Sequence, residues 1–166
     1  MTTLIAEYLS EKKDNLKVVY NVNVSPHALS ILNSKNISLH RCKVGHSNIK
    51  AMMKELEADF GGEHSAHFYY KDNYFADSAI LTLLMFMTII SERGEKVSSM
   101  IDKYNFPPSS GEINFEVEDV ESSLEKIKNV FTGDFDELDG LSYFDENFWF
   151  NVRGSNTEPK FCLLYT

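Results

Sequence analysis

The sequence predicts an α/β fold: a three-layer domain with a parallel or mixed sheet, followed by a small α+β domain with an antiparallel sheet. Three observations predict it. Up to Phe106, short apolar strand patterns alternate with helical patterns, the order that lays strands side by side and packs the intervening helices on both faces. Lys103 to Gly111 then carries Pro107-Pro108-Ser109-Ser110-Gly111, which cannot continue a helix and suits an interdomain linker. Beyond it, several strand patterns share a single helix, as antiparallel sheets do. The expected domains are residues 1–106 and 107–166.

Each element follows from its residues. Leu4, Ile5, Tyr8 and Leu9 recur at helical spacing behind Thr2 and Thr3, which suit an N-cap. Lys17 to Val24 reads as a strand that is apolar on both faces, as a buried strand requires. Ser25-Pro26 is a cap followed by proline at the first helical position. Ile37 to Lys43 is a second strand. His46 to Phe60 is a helix with Ile49, Met52, Met53 and Leu56 on one face, broken by Gly61-Gly62. His67 to Tyr70 is a short strand, and Phe75 to Ser91 a helix so apolar all round that burial is expected. In the second domain Glu112 to Val117 is a strand, and Glu118-Asp119 opens a helix with Val120, Leu124, Ile127 and Phe131 on one stripe. Gly140 to Phe144 and Phe148 to Arg153 form a hairpin about Asp145 to Asn147, and Phe161 to Tyr165 is the last strand.

Composition narrows the function. A net charge of −9 argues against nucleic-acid binding, which needs basic clusters. With 166 residues, 43% of them hydrophobic, the chain is long enough for one domain or two small ones with buried cores. Cys42 and Cys162 lie far apart outside any motif and read as reduced core thiols. No signal peptide pattern opens the sequence. The apolar run from Ala79 to Ile90 is too short to span a bilayer. The expectation is a soluble cytoplasmic protein without membrane or nucleic-acid partners.

Two loops carry chemistry. In Phe148 to Pro159, an aromatic strand runs into Arg153-Gly154-Ser155-Asn156-Thr157. One guanidinium fork, two hydroxyls, an amide and backbone N–H groups at a glycine are what a phosphate dianion requires; an Asn/Gly turn alone explains the turn but not the Arg, Ser and Thr together. In Gly61-Gly62-Glu63-His64-Ser65-Ala66-His67, Glu63 and Ser65 suit neighbouring sugar hydroxyls and His67 suits acid/base work near neutral pH. Residue chemistry alone leaves a plain surface turn open here. His64 and His67 also suggest a metal, but no third ligand follows at suitable spacing, so no metal ligand is expected.

These segments resemble the α-D-phosphohexomutases of the phosphomannomutase/phosphoglucomutase type. The Arg153 loop is similar to that family's phosphate loop, Arg-x-Ser-Asn-Thr-Glu-Pro, and residues 62–67 to its sugar loop, Gly-Glu-x-Ser-Gly-His. Lys43-Val44-Gly45-His46-Ser47, Phe75-Ala76-Asp77-Ser78 and Val18 to Ser25 resemble further family segments, in the family's order and across most of the chain. The resemblance implies an isomerase that interconverts hexose 1-phosphate and hexose 6-phosphate, of mannose or glucose, through a hexose 1,6-bisphosphate. Glu63, Ser65 and His46 would then bind substrate in domain three, with His67 a candidate acid/base, and Arg153, Ser155, Asn156 and Thr157 would hold the non-reacting phosphate in domain four. A phosphoglucosamine mutase and a non-catalytic sugar-phosphate-binding module are the alternatives.

Departures matter. Ala66 replaces the commoner Gly, and Asn23 stands where many members carry Lys or Arg. The family's phosphoserine loop and its Asp-x-Asp-x-Asp-Arg magnesium loop have no counterpart in this sequence. The resemblance therefore implies the C-terminal half of a longer mutase. The Mg2+ ligands and the N-terminal domains would lie outside this chain, and domain four would be incomplete, without the helix that closes it.

Overall fold

The computed structural model describes residues 1–154 and 160–166. The chain forms two compact units, Met1–Phe106 and Pro107–Thr166.

In the first unit the elements run α1 (Thr2–Lys12), β1 (Lys17–Asn21), α2 (Pro26–Asn33), β2 (Ser38–Cys42), α3 (His46–Leu56), β3 (Phe60–Gly62), β4 (Phe68–Tyr70), β5 (Ala76–Asp77), α4 (Ala79–Arg93) and α5 (Val97–Asp102). The sheet order is β2-β1-β3-β4-β5. Both neighbours of β1 are parallel to it, whereas β3, β4 and β5 pair antiparallel. The sheet is therefore mixed.

Strand alternation separates the layers. Val18, Phe60, Phe68 and Tyr70 face one core with Leu4, Ile5, Leu32 and Ile89 of α1, α2 and α4. Val19, Cys42 and Tyr69 face the other, against Ile49 and Met53 of α3. Because successive residues point to opposite faces, Tyr69 lies on the α3 side while both its neighbours pack on the α1 side.

Several expectations are corrected. The N-cap of α1 is Met1 with no side-chain bond, so Thr2 and Thr3 lie inside the helix. Helix α3 stops at Leu56 because Glu57 takes a left-handed conformation, φ 53°. Phe60, Gly61 and Gly62 then form β3 rather than a helix end. The glycines there answer to packing: a Cβ on Gly61 would sit 2.6 Å from Met53 Sδ, and one on Gly62 2.5 Å from Thr2 Cγ2. Phe75 belongs to the turn before β5, and α4 begins only after Ser78, whose side chain accepts from Leu81 N. Helix α4 is also not buried all round. Ile89 is fully covered, but Ile80, Leu83, Leu84 and Met87 on its outer stripe are 73%, 57%, 54% and 57% exposed. Its composition reflects two apolar faces, only one of which packs on this unit.

The second unit contains β6 (Ile113–Glu116), α6 (Val120–Val130), β7 (Phe135–Asp136), β8 (Leu141–Phe144), β9 (Trp149–Gly154) and β10 (Lys160–Tyr165). All strands pair antiparallel in the order β6-β10-β9-β8-β7. Asp119 caps α6 by accepting from Ser122 N. Val120, Leu124 and Ile127 of that helix cover Leu141, Tyr143, Phe150, Val152 and Phe161 of the sheet. Strand β7 was not legible as a strand, being two residues long. Both cysteines are buried and not disulfide-bonded, and among the described residues no helix is long and apolar enough to cross a membrane.

Candidate functional site

The chain reverses between β3 and β4 in a tight turn, and the turn places the candidate sugar residues. Glu63 N donates to His67 O (3.0 Å) and Ala66 N to Glu63 O (3.2 Å). Glu63 is 3% exposed, while Ser65 lies out in solvent and His67 is half-buried. Closure of the turn demands a left-handed residue, and Ala66 takes it with φ 64°. A Cβ in that region is strained by about 1–2 kcal/mol, against which glycine loses more backbone entropy. Ala66→Gly is therefore expected to stabilise the chain by about 1 kcal/mol, the difference of those terms. Urea unfolding measures this; a variant no more stable than the parent would show that the turn relaxes elsewhere.

A buried carboxylate must be hydrogen-bonded to be tolerated, and both oxygens of Glu63 are. Its Oε1 accepts from Asn21 Nδ2 (3.3 Å) and from the Gly45 N–H (3.4 Å) ahead of α3. Its Oε2 accepts the Tyr69 hydroxyl at 2.6 Å. Burial, and next the bond to Glu63, push the Tyr69 hydroxyl far above its ordinary range. Tyr69 Oη also lies 2.9 Å from His46 Nδ1. The His46 ring meets the His67 ring edge-to-face, centroids 4.5 Å apart, and His67 Nδ1 is 3.1 Å from Ser65 Oγ. Glu63, Tyr69, His46, His67 and Ser65 thus form one connected group, buried at Glu63 and open to solvent at His46 and Ser65.

Asp77 joins its edge, because β4–β5 pairing sets it directly across from Tyr69. Lys50 Nζ lies 3.3 Å from Asp77 Oδ1 and 5.7 Å from the Tyr69 ring centroid. Burial opposes ionisation of Asp77, but the bond to Lys50 and its charge outweigh this and hold the carboxyl below its ordinary value. One ligand atom each from His46, His67 and Asp77 all fall within 4.8 Å of one another. His64, the other member of the sequence pair, is exposed and outside this cluster.

Sequence reasoning missed Asn21, Gly45, Lys50 and Tyr69 as members of the group and gave Asp77 no role. The alternation of Phe68-Tyr69-Tyr70 carried the signal for Tyr69, since only the middle residue can face α3. Asn23, the residue that replaces a cation, is 7% exposed; its N–H donates to Asn21 Oδ1 at 3.2 Å, and its own Oδ1 has no partner.

In the second unit, Arg153 lies near the end of β9, opposite Cys162 of β10. Its side chain is 12% exposed, with Glu112 Oε2 at 3.9 Å from Nη2 and a buried Nε that has no hydrogen-bond partner. An arginine so covered, with its Nε unpaired, has unused donor capacity. Gly154, expected to open the loop, is the last residue of β9. Ser155, Asn156 and Thr157 lie outside the described residues.

Residues 1–105 match the family described as phosphoglucomutase/phosphomannomutase, alpha/beta/alpha domain III. A phosphomannomutase of Methanocaldococcus jannaschii is 38% identical over 164 residues, covering 98% of this chain and 36% of that protein. A phosphomannomutase of Vibrio cholerae is 31% identical over 165 residues, covering 96% of this chain and again 36% of the relative. The chain thus spans about a third of the length of these curated relatives. Among solved structures, a phosphoglucomutase/phosphomannomutase family protein from Burkholderia thailandensis superposes with a TM-score of 0.80 at 21% identity, covering 99% of this chain and 36% of that one. An Aspergillus fumigatus N-acetylphosphoglucosamine mutase in complex with glucose 1,6-bisphosphate superposes at 0.70 with 12% identity, covering 99% of this chain and 38% of that one. With the family match extending over most of the chain, this protein belongs to the phosphoglucomutase/phosphomannomutase family.

Proposed function

We propose that this chain supplies the sugar-binding and phosphate-binding parts of a phosphohexomutase that interconverts hexose 1-phosphate and hexose 6-phosphate, of mannose or glucose, through a hexose 1,6-bisphosphate. The carrying observation is the buried Glu63 carboxylate, fixed by Asn21, Gly45 and Tyr69 beside the open Ser65 and His46 and the half-buried His67. A carboxylate offers about four lone-pair sites, and three are engaged here, so Glu63 retains acceptor capacity for a sugar hydroxyl. Ser65 and His46 offer further contacts to neighbouring hydroxyls, and His67 is positioned through Ser65 as the candidate proton carrier. In the second unit Arg153, with Ser155, Asn156 and Thr157, would clamp the phosphate that is not reacting. Phosphoryl transfer depends chiefly on positioning and charge stabilisation, which is the work these residues are suited to. By its name, the Aspergillus relative binds such a bisphosphate, which supports the assigned intermediate.

Magnesium, which this reading requires of the whole enzyme, prefers an all-oxygen shell. The one group with metal-holding geometry among the described residues, His46, His67 and Asp77, is imidazole-rich and does not fit it. In the proposal Mg2+ is held by the N-terminal domains of the longer protein, in the cytoplasm, and this chain alone does not turn substrate over.

The test separates the two grips. Glu63→Gln keeps the shape but removes the charge, and is expected to weaken glucose 1-phosphate or mannose 1-phosphate binding by about tenfold, one lost charge-assisted hydrogen bond. Binding of inorganic phosphate should stay within about threefold, well under one such bond. Calorimetric titration of both ligands decides it, and equal loss of both would assign Glu63 a purely structural role.

A further inference from the structure

We propose that His46, His67 and Asp77 form a three-ligand site for a divalent cation of the zinc class, with a water in the open fourth position. The three side chains come from separate, well-anchored places: the first residue of α3, the residue before β4 and the last residue of β5. Their ligand atoms lie within 4.8 Å of one another. Zinc ligands at bond lengths of about 2.0–2.2 Å stand roughly 3.4 Å apart in a tetrahedron, so rotation of the half-buried Asp77 side chain, with small shifts of the two rings, closes the set.

The surroundings are those of a metal site. A ligating imidazole is oriented by a partner on its other nitrogen. Here the Tyr69 hydroxyl stands at His46 Nδ1 and the Ser65 hydroxyl at His67 Nδ1, which assigns Nε2 of each ring to the metal. Tyr69 is itself tied to the buried Glu63 at 2.6 Å, so the orientation of His46 is anchored in the core. Two imidazoles and a carboxylate favour Zn2+, Co2+ or Ni2+ over Mg2+. In the metal-free chain the cation at Asp77 is the Lys50 ammonium, 3.3 Å away; a metal has to displace it. That competition keeps the site weaker than a structural zinc centre and makes it reversible. A bound metal would also cover the open side of the Glu63 turn and exclude a hexose, a consequence that rests on the function proposed above.

Titration of Zn2+ and Co2+ into the metal-stripped chain tests the proposal. One saturable Zn2+ per chain is expected, with Co2+ giving the visible absorption of a tetrahedral centre. His67→Ala and Asp77→Asn should each weaken Zn2+ binding by about tenfold or more, at least the effect of losing an outer partner. Lys50→Gln should strengthen it several-fold by removing the internal competitor, a gain that damage to the fold cannot mimic. His64→Ala should change nothing. No saturable uptake, or a Zn2+ affinity unmoved by His67→Ala, overturns the site. Arg153→Ala keeps the two proposals apart: it should weaken hexose phosphate binding by roughly 10²-fold while Zn2+ binding persists, and Zn2+ uptake that leaves hexose phosphate binding intact counts against the sugar assignment alone.

Discussion

Arg153→Ala is expected to lower the affinity of the chain for hexose phosphate by roughly 10²-fold while leaving its stability almost unchanged. The first half follows from chemistry. A guanidinium presents a planar fork that meets a phosphate with two charge-assisted hydrogen bonds, each contributing about 1.5–3 kcal/mol; two at the lower end of that range, about 3 kcal/mol together, are a factor of roughly 10². The second half follows from the structure. Among the described residues the ion-pair partner of Arg153 is Glu112, at 3.9 Å and 41% exposed, and the buried Nε of Arg153 is unsatisfied. A pair of that length whose carboxylate is open to solvent contributes little, and deleting an orphaned donor relieves a desolvation penalty. A residue kept for the fold would show the opposite balance. Arg153→Lys separates charge from fork and should recover only part of the affinity, because an ammonium is a point charge. Calorimetry with glucose 1-phosphate, beside urea unfolding of each variant, supplies both numbers. A variant that binds within threefold of the parent, or that loses stability in step with affinity, would remove Arg153 from the phosphate site.

How far the fold and site could be read in the sequence varied with the kind of signal. Elements fixed by local chemistry were legible: Ser25-Pro26 at the start of α2, Asp119 at the start of α6 and the hairpin about Asp145 to Asn147 all stand in the structure. Elements decided by distant partners were not. Phe60-Gly61-Gly62 reads locally as a helix end, yet it forms the third strand because Phe60 pairs with Val18, and because Met53 and Thr2 leave no room for a Cβ. The apolar wealth of α4 implied burial, but hydrophobicity says only that a face needs covering, not that this unit covers it. The site divides in the same way. Glu63, Ser65, His46 and His67 were visible as reactive types in short motifs, while Tyr69 and Asp77 join them only through the register of β4 against β5. Nor does spacing reveal that Glu63 is buried and bound by three donors before any ligand arrives.

Gly140→Ala is expected to destabilise the second unit by about 3 kcal/mol, from two terms that separate. Gly140 precedes β8 with φ 69°, and a side chain in that region is strained by about 1–2 kcal/mol. It also lies against β9. An added Cβ would overlap the Val152 carbonyl oxygen and approach the Cα and Cβ of Arg153 to 2.6 Å. These are backbone and near-backbone atoms that cannot swing aside, so the strand must move, at about 1–3 kcal/mol for overpacking. Gly111 in the same unit is the control: its φ is 66° but nothing lies within 4 Å of an added Cβ, so Gly111→Ala should show only the conformational term of about 1–2 kcal/mol. The difference between the two variants in urea unfolding is then the packing term alone. Because the displaced atoms belong to Arg153, Gly140→Ala should also weaken phosphate binding, whereas Gly111→Ala should not. Equal stability losses in the two variants, or full phosphate affinity in Gly140→Ala, would show that β9 yields without cost and that Gly140 does not set the position of Arg153.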